Sequence, residues 1–119
     1  MKKILIVEDE KPLARVMSLK LNSAGYQTSV SFDGESALEI LSKESFDLII
    51  LDLVMPKKDG YFVFSELKRL NIKIPVIVAS NLGQQEDIEK AKQLGAVDYF
   101  TKSDITLVEM VNKVKQYLQ

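Results

Sequence analysis

Short apolar runs alternate with stretches of helical periodicity along this chain, and this alternation limits the possible folds more than any other feature. The predicted strands are residues 4–7, 27–31, 48–51, 76–79 and 97–100. A helix is predicted after each of the five strands, because apolar residues in those stretches recur three or four positions apart. The first, third and fourth strands are apolar on both faces, as in a parallel sheet covered by helices. Right-handed crossovers then give a three-layer, doubly wound α/β domain.

Each predicted helix has one apolar face and a recognisable first or last residue. Gly25 and Gly95 mark the ends of the first and fourth helices, and Asp59 and Asp104 are predicted N-caps of the third and fifth. The fourth helix, from about residue 84 to 94, has the thinnest apolar face. The residues expected to face inward are Leu13, Val16, Met17 and Leu21, then Ala37, Leu38 and Leu41, then Phe62, Val63, Leu67 and Leu70, then Ile88, Ala91 and Leu94, and finally Ile105, Val108, Val111, Val114 and Leu118.

Composition and charge exclude several classes of protein. The length of 119 residues predicts one domain, spanning 1–119, and 46% hydrophobic with 28% charged residues is ordinary for a soluble globular protein. A net charge of −1 gives no field that recruits nucleic acid or an anionic membrane. The chain has no cysteine and no histidine, so it has no thiol chemistry and cannot be a phosphohistidine donor. With no signal-like or membrane-spanning run, we expect a cytoplasmic location.

Polar and charged residues follow four of the predicted strands at the point where each strand ends. Glu8 and Asp9 follow the first strand, Asp52 the third, Ser80 the fourth and Lys102 the fifth. Each has an unremarkable explanation when taken alone, as a turn residue, a helix cap or a surface lysine. In doubly wound sheets, however, ligands bind beyond the carboxyl ends of the strands, so these side chains are predicted to meet at one edge.

Carboxylates gathered at one edge require a cation. Two carboxylates about 4 Å apart repel each other by roughly 4 kcal/mol at an effective dielectric constant near 20. Glu8, Asp9 and Asp52 offer only oxygen ligands, which favour a hard ion such as Mg²⁺. Lys102 adds a second, movable positive charge. The pattern therefore predicts a metal site at the carboxyl edge of the sheet, with Asp52 next to the ion.

The segments "ILIVEDE", "LIILDLVMPKKDG", "PVIVAS" and "AVDYFTK" carry a family resemblance. Together they resemble the receiver domain of bacterial two-component response regulators, the CheY-like family, over the whole chain. The resemblance implies a flavodoxin-like fold with strand order 2-1-3-4-5. It implies that Asp52 accepts a phosphoryl group from a sensor histidine kinase or phosphotransfer protein, as a switch rather than an enzyme. It also implies that Glu8, Asp9 and Asp52, with the backbone carbonyl of Val54, hold Mg²⁺.

The same resemblance implies roles for three further residues. Ser80 matches the family's hydroxyl switch residue, Tyr99 its aromatic switch residue, and Lys102 its lysine. On phosphorylation, Ser80 is expected to move to the phosphate and Tyr99 to turn inward. The fourth helix, fifth strand and last helix then form the expected surface for a downstream protein or output domain. The family usually has proline after the lysine, whereas this chain has Ser103; we predict a trans Lys102–Ser103 bond, because a cis bond without proline costs about 2.5–4 kcal/mol.

Three other functions compete with this prediction. An aspartate-nucleophile phosphatase of the haloacid dehalogenase type needs a second Asp two residues after the first, and position 54 is Val. A flavin or nucleotide carrier needs a phosphate-binding loop after the first strand, where this chain has the acidic "EDEKP". A receiver domain excised from a larger DNA-binding regulator remains open.

The lifetime of the phosphorylated state is predicted from two apolar residues. Val54 and Leu82 lie two positions beyond Asp52 and Ser80, where they are expected to flank the path of a hydrolytic water. Neither side chain can hydrogen-bond a water, and positioning contributes much of the catalysis in phosphoryl transfer. Slow self-dephosphorylation is therefore expected.

Overall fold

The computed structural model describes residues 1–55, 59–81 and 85–118. Strands and helices alternate through these residues. Their bounds are β1 Lys3–Val7, α1 Lys11–Ser23, β2 Gln27–Ser31, α2 Gly34–Lys43, β3 Leu48–Leu51, α3 Gly60–Arg69, β4 Val76–Ser80, α4 Gln85–Leu94, β5 Asp98–Thr101, a 3₁₀ turn Lys102–Asp104, and α5 Leu107–Tyr117. No helix in the described ranges is both long enough and apolar enough to cross a bilayer.

The strands form one parallel sheet in the order β2-β1-β3-β4-β5. This confirms the predicted doubly wound fold. The winding direction reverses between β1 and β3, where Val7 lies beside Leu51 at the ends of the two strands. Asp52 therefore leaves β3 next to Glu8, and its N–H donates to the Val7 carbonyl at 3.0 Å. The register alone brings two of the predicted site residues together.

Alternate residues of the strands pack into two hydrophobic cores, one on each side of the sheet. Leu5 and Ile49 belong to the core beneath α2, α3 and α4. Ile4 and Ile50 belong to the core beneath α1 and α5. All four side chains have an exposed fraction of 1% or less. This two-sided burial explains the continuous apolar runs of the central strands, and it leaves the strand ends as the place where polar chemistry is possible.

The predicted cap of α3 is confirmed and that of α5 is wrong. The Asp59 carboxylate accepts a hydrogen bond from the Phe62 N–H at 3.1 Å. Asp104 instead lies in the 3₁₀ turn, and α5 is capped by Thr106, whose hydroxyl accepts from the Glu109 N–H at 3.1 Å. The Glu109 carboxylate in turn accepts from the Thr106 N–H. This reciprocal capping box satisfies two backbone N–H groups at the start of α5, whereas a cap by the Asp104 side chain alone would satisfy one.

Four residues predicted to face inward are exposed instead. Their exposed fractions are 44% for Val16, 46% for Leu70, 41% for Leu94 and 56% for Val108. In α1 the buried face is centred on Ala14, Met17 and Leu21. Val16 precedes Met17 and is therefore rotated about 100° from it around the helix. Leu70 lies beyond the last residue of α3, as its C-cap. Apolar spacing predicted the helices correctly but not the arc of each that contacts the sheet.

Candidate functional site at the carboxyl edge of the sheet

A pocket of about 330 Å³ opens where β1, β3, β4 and β5 end. Its lining residues are Asp9, Glu10, Asp52, Val54, Ser80, Asn81 and Lys102. The structure thus brings together residues that are up to 93 positions apart, from Asp9 to Lys102. Glu10 and Asn81 were not singled out from the sequence, because acidic and amide side chains in turns are common and neither belongs to a recognisable pattern.

Asp52 is held in place at both carboxylate oxygens. Its side chain is almost completely buried, with 3% of the residue exposed. Oδ1 accepts a hydrogen bond from the Val54 N–H at 3.1 Å, and Oδ2 accepts one from Lys102 Nζ at 2.9 Å. A carboxylate in this environment keeps a fixed orientation towards the pocket, which is the requirement for a nucleophile that must attack in line.

Lys102 is the positive centre of the site. Its Nζ lies 2.9 Å from Glu8 Oε1 and 2.9 Å from Asp52 Oδ2, with Glu10 Oε2 further away at 3.5 Å. Burial lowers the pKa of Lys102, but hydrogen bonds and charge attraction to Asp52 and Glu8 together raise it by more, so the net shift is upward. The side chain therefore stays charged, and its ammonium group bridges the ends of β1 and β3.

Glu8 is a buried acid rather than a solvated turn residue. Only 1% of it is exposed, and its Oε2 accepts a hydrogen bond from the Glu10 N–H at 3.1 Å. Burial raises the pKa of Glu8 to about 7, although the hydrogen bond from Lys102 acts in the opposite direction. The ionised form is therefore costly unless a further positive charge is present.

The chemistry of the donor set fits a hard divalent cation. Glu8, Asp9 and Asp52 each offer one oxygen, and these atoms all lie within 4.8 Å of one another. Oxygen ligands of this kind, few in number and open to water on one side, suit Mg²⁺. Asp9 is half-buried and lines the pocket, whereas Glu8 is buried and is not one of the lining residues. The predicted set of three carboxylates is thus assembled in one place.

A glycine fixes the backbone that carries Asp52. Gly60 begins α3, and its N–H donates to the Leu53 carbonyl at 3.1 Å. A Cβ atom at Gly60 would lie 2.5 Å from the Asp52 carbonyl oxygen and 2.8 Å from Leu53 Cα. Only glycine allows this close approach. The "DG" pair at Asp59 and Gly60 thus has a physical role: the first residue caps α3 and the second lets it contact the end of β3.

The two predicted switch residues are both buried. Ser80 is the last residue of β4 rather than the first after it, and 1% of it is exposed. Tyr99 is 8% exposed and belongs to the core beneath α2, α3 and α4. Burial raises the pKa of Tyr99, as does the nearby charge of Asp87, while a hydrogen bond with Ser80 lowers it. Tyr99 lies next to Val78 in the β4–β5 pairing. Its movement on phosphorylation stays a prediction.

The remaining predictions concern Lys102, Val54 and Leu82. The Lys102–Ser103 peptide bond is trans, as predicted. Val54 lines the pocket and is 58% exposed, so it is placed where it can restrict access to Asp52. Leu82 lies outside the described residues.

Comparison with known proteins identifies the family. The model of the response regulator receiver domain matches residues 4–115. "Sporulation initiation phosphotransferase F" of Bacillus subtilis is 35% identical over 116 residues, covering 98% of this chain and 93% of that protein. "Probable transcriptional regulator ycf27" of Cyanophora paradoxa is 42% identical over 101 residues, covering 85% of this chain. This chain spans only about two fifths of the length of such transcriptional regulators, 42% for the Cyanophora paradoxa protein.

Solved structures agree with this assignment. The receiver domain of the Francisella response regulator 1452 superposes with a TM-score of 0.93 at 32% identity, covering 98% of this chain and 96% of that one. The BeF3-activated DrrB receiver domain superposes with a TM-score of 0.88 at 30% identity, covering 99% and 97%. With the CheY-like strand order and the acidic pocket, these findings show that the chain belongs to the response regulator receiver domain family of two-component signalling.

Proposed function

We propose that this domain is a phosphorylation-dependent switch in which Asp52 accepts a phosphoryl group from a sensor histidine kinase or a phosphotransfer protein. The observation that carries the proposal is the Asp52 carboxylate, 3% exposed, at a pocket and hydrogen-bonded at both oxygens. In the reaction, an Asp52 oxygen forms a bond to phosphorus. The bond from phosphorus to the donor breaks, and the donor keeps the electron pair. The domain we assign to this function spans residues 1–119.

The proposed roles of the surrounding residues follow from charge. Lys102 Nζ, now 2.9 Å from Asp52 Oδ2, is close enough to pair with a phosphoryl group on Asp52. Glu8, Asp9, Asp52 and the Val54 backbone carbonyl would hold Mg²⁺. When bound, that ion neutralises negative charge on the transferred group, which is the main need in phosphoryl transfer. The domain's own catalysis is limited to assisting its phosphorylation and a slow loss of phosphate.

Labelling with a small phosphodonor tests the proposal. Incubation with acetyl phosphate and Mg²⁺ is expected to add the mass of one phosphoryl group to the intact protein. Asp52→Asn is expected to abolish the addition. Asp104→Asn is the matched control, because Asp104 is an exposed carboxylate in the turn after β5 and outside the pocket. Equal labelling of Asp52→Asn and the control would refute the assignment of Asp52.

We further propose that phosphorylation acts on the surface formed by α4, β5 and α5. Ala91 is the buried residue of α4, so this helix is weakly anchored and is expected to respond first. Lys113 Nζ contacts both Asp98 carboxylate oxygens at 3.2 Å, which ties α5 to β5. Hydrogen exchange in residues 85–101 is therefore expected to change on phosphorylation, while that in α2 stays constant. An unchanged pattern in residues 85–101 would exclude this surface.

The output of the switch is proposed to lie in another protein or another domain. One relative is named a transcriptional regulator and extends well beyond the matched region, and another is named a phosphotransferase and is nearly matched in full. Both arrangements are compatible with the same proposed step at Asp52. We therefore propose that this domain does not itself contact nucleic acid and that it signals through the α4, β5 and α5 surface.

A further inference from the structure

Asn81 is a polar residue of the pocket to which the proposed function gives no role. It directly follows Ser80, the last residue of β4, and lines the same pocket as Asp52. Ser80 and Asp52 are 1% and 3% exposed, whereas Asn81 is exposed. Asn81 therefore belongs to the solvent-exposed part of the pocket lining, which is called the pocket mouth below. Val54, which is 58% exposed, also lines this opening.

The charged groups at the pocket are poorly suited to holding a neutral water beside a phosphorylated Asp52, and the Ser80 hydroxyl is expected to contact the phosphoryl group itself. Asp9 and Glu10 are carboxylates, which a phosphoryl group repels. Lys102 is engaged with Glu8 and Asp52 at 2.9 Å each. Among the described lining residues, Asn81 carries the one side-chain amide. An amide has both a carbonyl acceptor and an NH₂ donor, so it can accept from a water and donate to a phosphoryl oxygen.

We propose that Asn81 is a positioning residue for hydrolysis of the phosphorylated domain, an inference that rests on the proposed function of Asp52. The Asn81 amide orients the attacking water at the pocket mouth. The water oxygen forms a new bond to phosphorus, and the bond between phosphorus and the Asp52 oxygen breaks. The Asp52 carboxylate leaves with the electron pair, and the proton released by the water passes to the solvent or the departing phosphate.

The pocket is large enough for water, and Asn81 and Val54 in its lining differ in their ability to bind one. At about 330 Å³ it can hold several waters, each of which occupies roughly 30 Å³ in the liquid. Val54 has an alkyl side chain and cannot orient any of them. Asn81 can form a hydrogen bond to a water, which Val54 cannot. In this proposal Asn81 speeds hydrolysis by orienting the water, and Val54 slows it by restricting access of water to Asp52.

The test separates hydrolysis from phosphorylation. Wild type and Asn81→Ala are phosphorylated with acetyl phosphate and Mg²⁺, the donor is removed, and the decay of the phosphorylated mass is followed. We expect Asn81→Ala to lose phosphate more slowly by on the order of tenfold, with a phosphorylation rate within about a factor of two of wild type. Asn81→Gln, which keeps the amide, is expected to decay faster than Asn81→Ala. Asn112→Ala removes an exposed amide from α5 and is the matched control, expected to decay like wild type.

Each outcome has a distinct meaning. If wild type accepts phosphate but Asn81→Ala decays at the wild-type rate, this inference is wrong and the proposed function stands. A parallel loss of phosphorylation rate and decay rate in Asn81→Ala would also overturn it, since the amide would then bind the phosphoryl group rather than the water. If wild type accepts no phosphate, the proposed function fails and this inference fails with it. Thermal melting of each variant checks that an altered decay does not come from unfolding.

Discussion

Replacing Gly60 with alanine tests how tightly α3 contacts the end of β3. The added Cβ would lie 2.5 Å from the Asp52 carbonyl oxygen and 2.8 Å from Leu53 Cα, and both neighbours are backbone atoms. Carbon atoms pack best at about 3.5–4.0 Å, so either α3 or the Asp52 backbone has to move by roughly 1 Å. Overpacking of this kind costs about 1–3 kcal/mol. Alanine regains at most about 1 kcal/mol of helix propensity.

The net expectation for Gly60→Ala is a loss of about 1–2 kcal/mol in the free energy of unfolding. With a urea m-value of about 2 kcal/mol/M, the unfolding midpoint falls by roughly 0.5–1 M. Ser65→Ala, at an exposed position of the same helix, reports the propensity gain without the clash and is expected to be neutral or slightly stabilising. If Gly60→Ala were as stable as Ser65→Ala, the close approach would not constrain the Asp52 backbone.

Three further predictions concern the metal, Lys102 and the cap of α5. Millimolar Mg²⁺ is expected to raise the melting temperature, because it binds only the folded carboxylate cluster; an unchanged melting curve counts against the metal site. Lys102→Met is expected to lower stability by about 3–5 kcal/mol in urea unfolding without metal, since it leaves buried Glu8 and Asp52 unpaired. A loss under 1 kcal/mol would contradict this. Thr106→Ala is expected to cost about 1 kcal/mol and Asp104→Ala clearly less; equal losses would refute the capping box.

The place of the site was predictable because a parallel sheet leaves little freedom at its strand ends. Once residues 4–7 and 48–51 are recognised as neighbouring strands, Val7 pairs with Leu51, and Glu8 and Asp52 emerge together. The separation of these residues in the sequence does not matter, since the register is set by backbone hydrogen bonds.

The helix faces were less predictable because apolar spacing defines a helix but not its rotation. Val16 and Met17 are both compatible with an inward face, and only packing against the sheet selects Met17. The start of α5 has the same ambiguity: Asp104 and Thr106 are both good caps, and the sequence does not say which one follows the 3₁₀ turn. Glu109 decides in favour of Thr106 by returning a second hydrogen bond.

Contacts within the site depend on side-chain positions that no local pattern encodes. The Nζ atom of Lys102 lies between Glu8 and Asp52, and the sequence does not indicate this pair of contacts. The burial of Tyr99 in the core likewise follows from packing and not from a local pattern. Asn81 gave no signal in the sequence, because its place at the pocket follows from where β4 ends and not from a motif.

Locating the phosphoryl group on the chain tests the central claim most directly. Protein phosphorylated with acetyl phosphate and Mg²⁺ is reduced with borohydride, which marks the acyl phosphate, and is then digested for peptide mass mapping. We predict that the mark is found at Asp52 and not at the neighbouring carboxylates Glu8 and Asp9, which lie within the same 4.8 Å cluster. A mark on Glu8 or Asp9, or no mark at any carboxylate, would contradict the assignment of Asp52 as the phosphoacceptor.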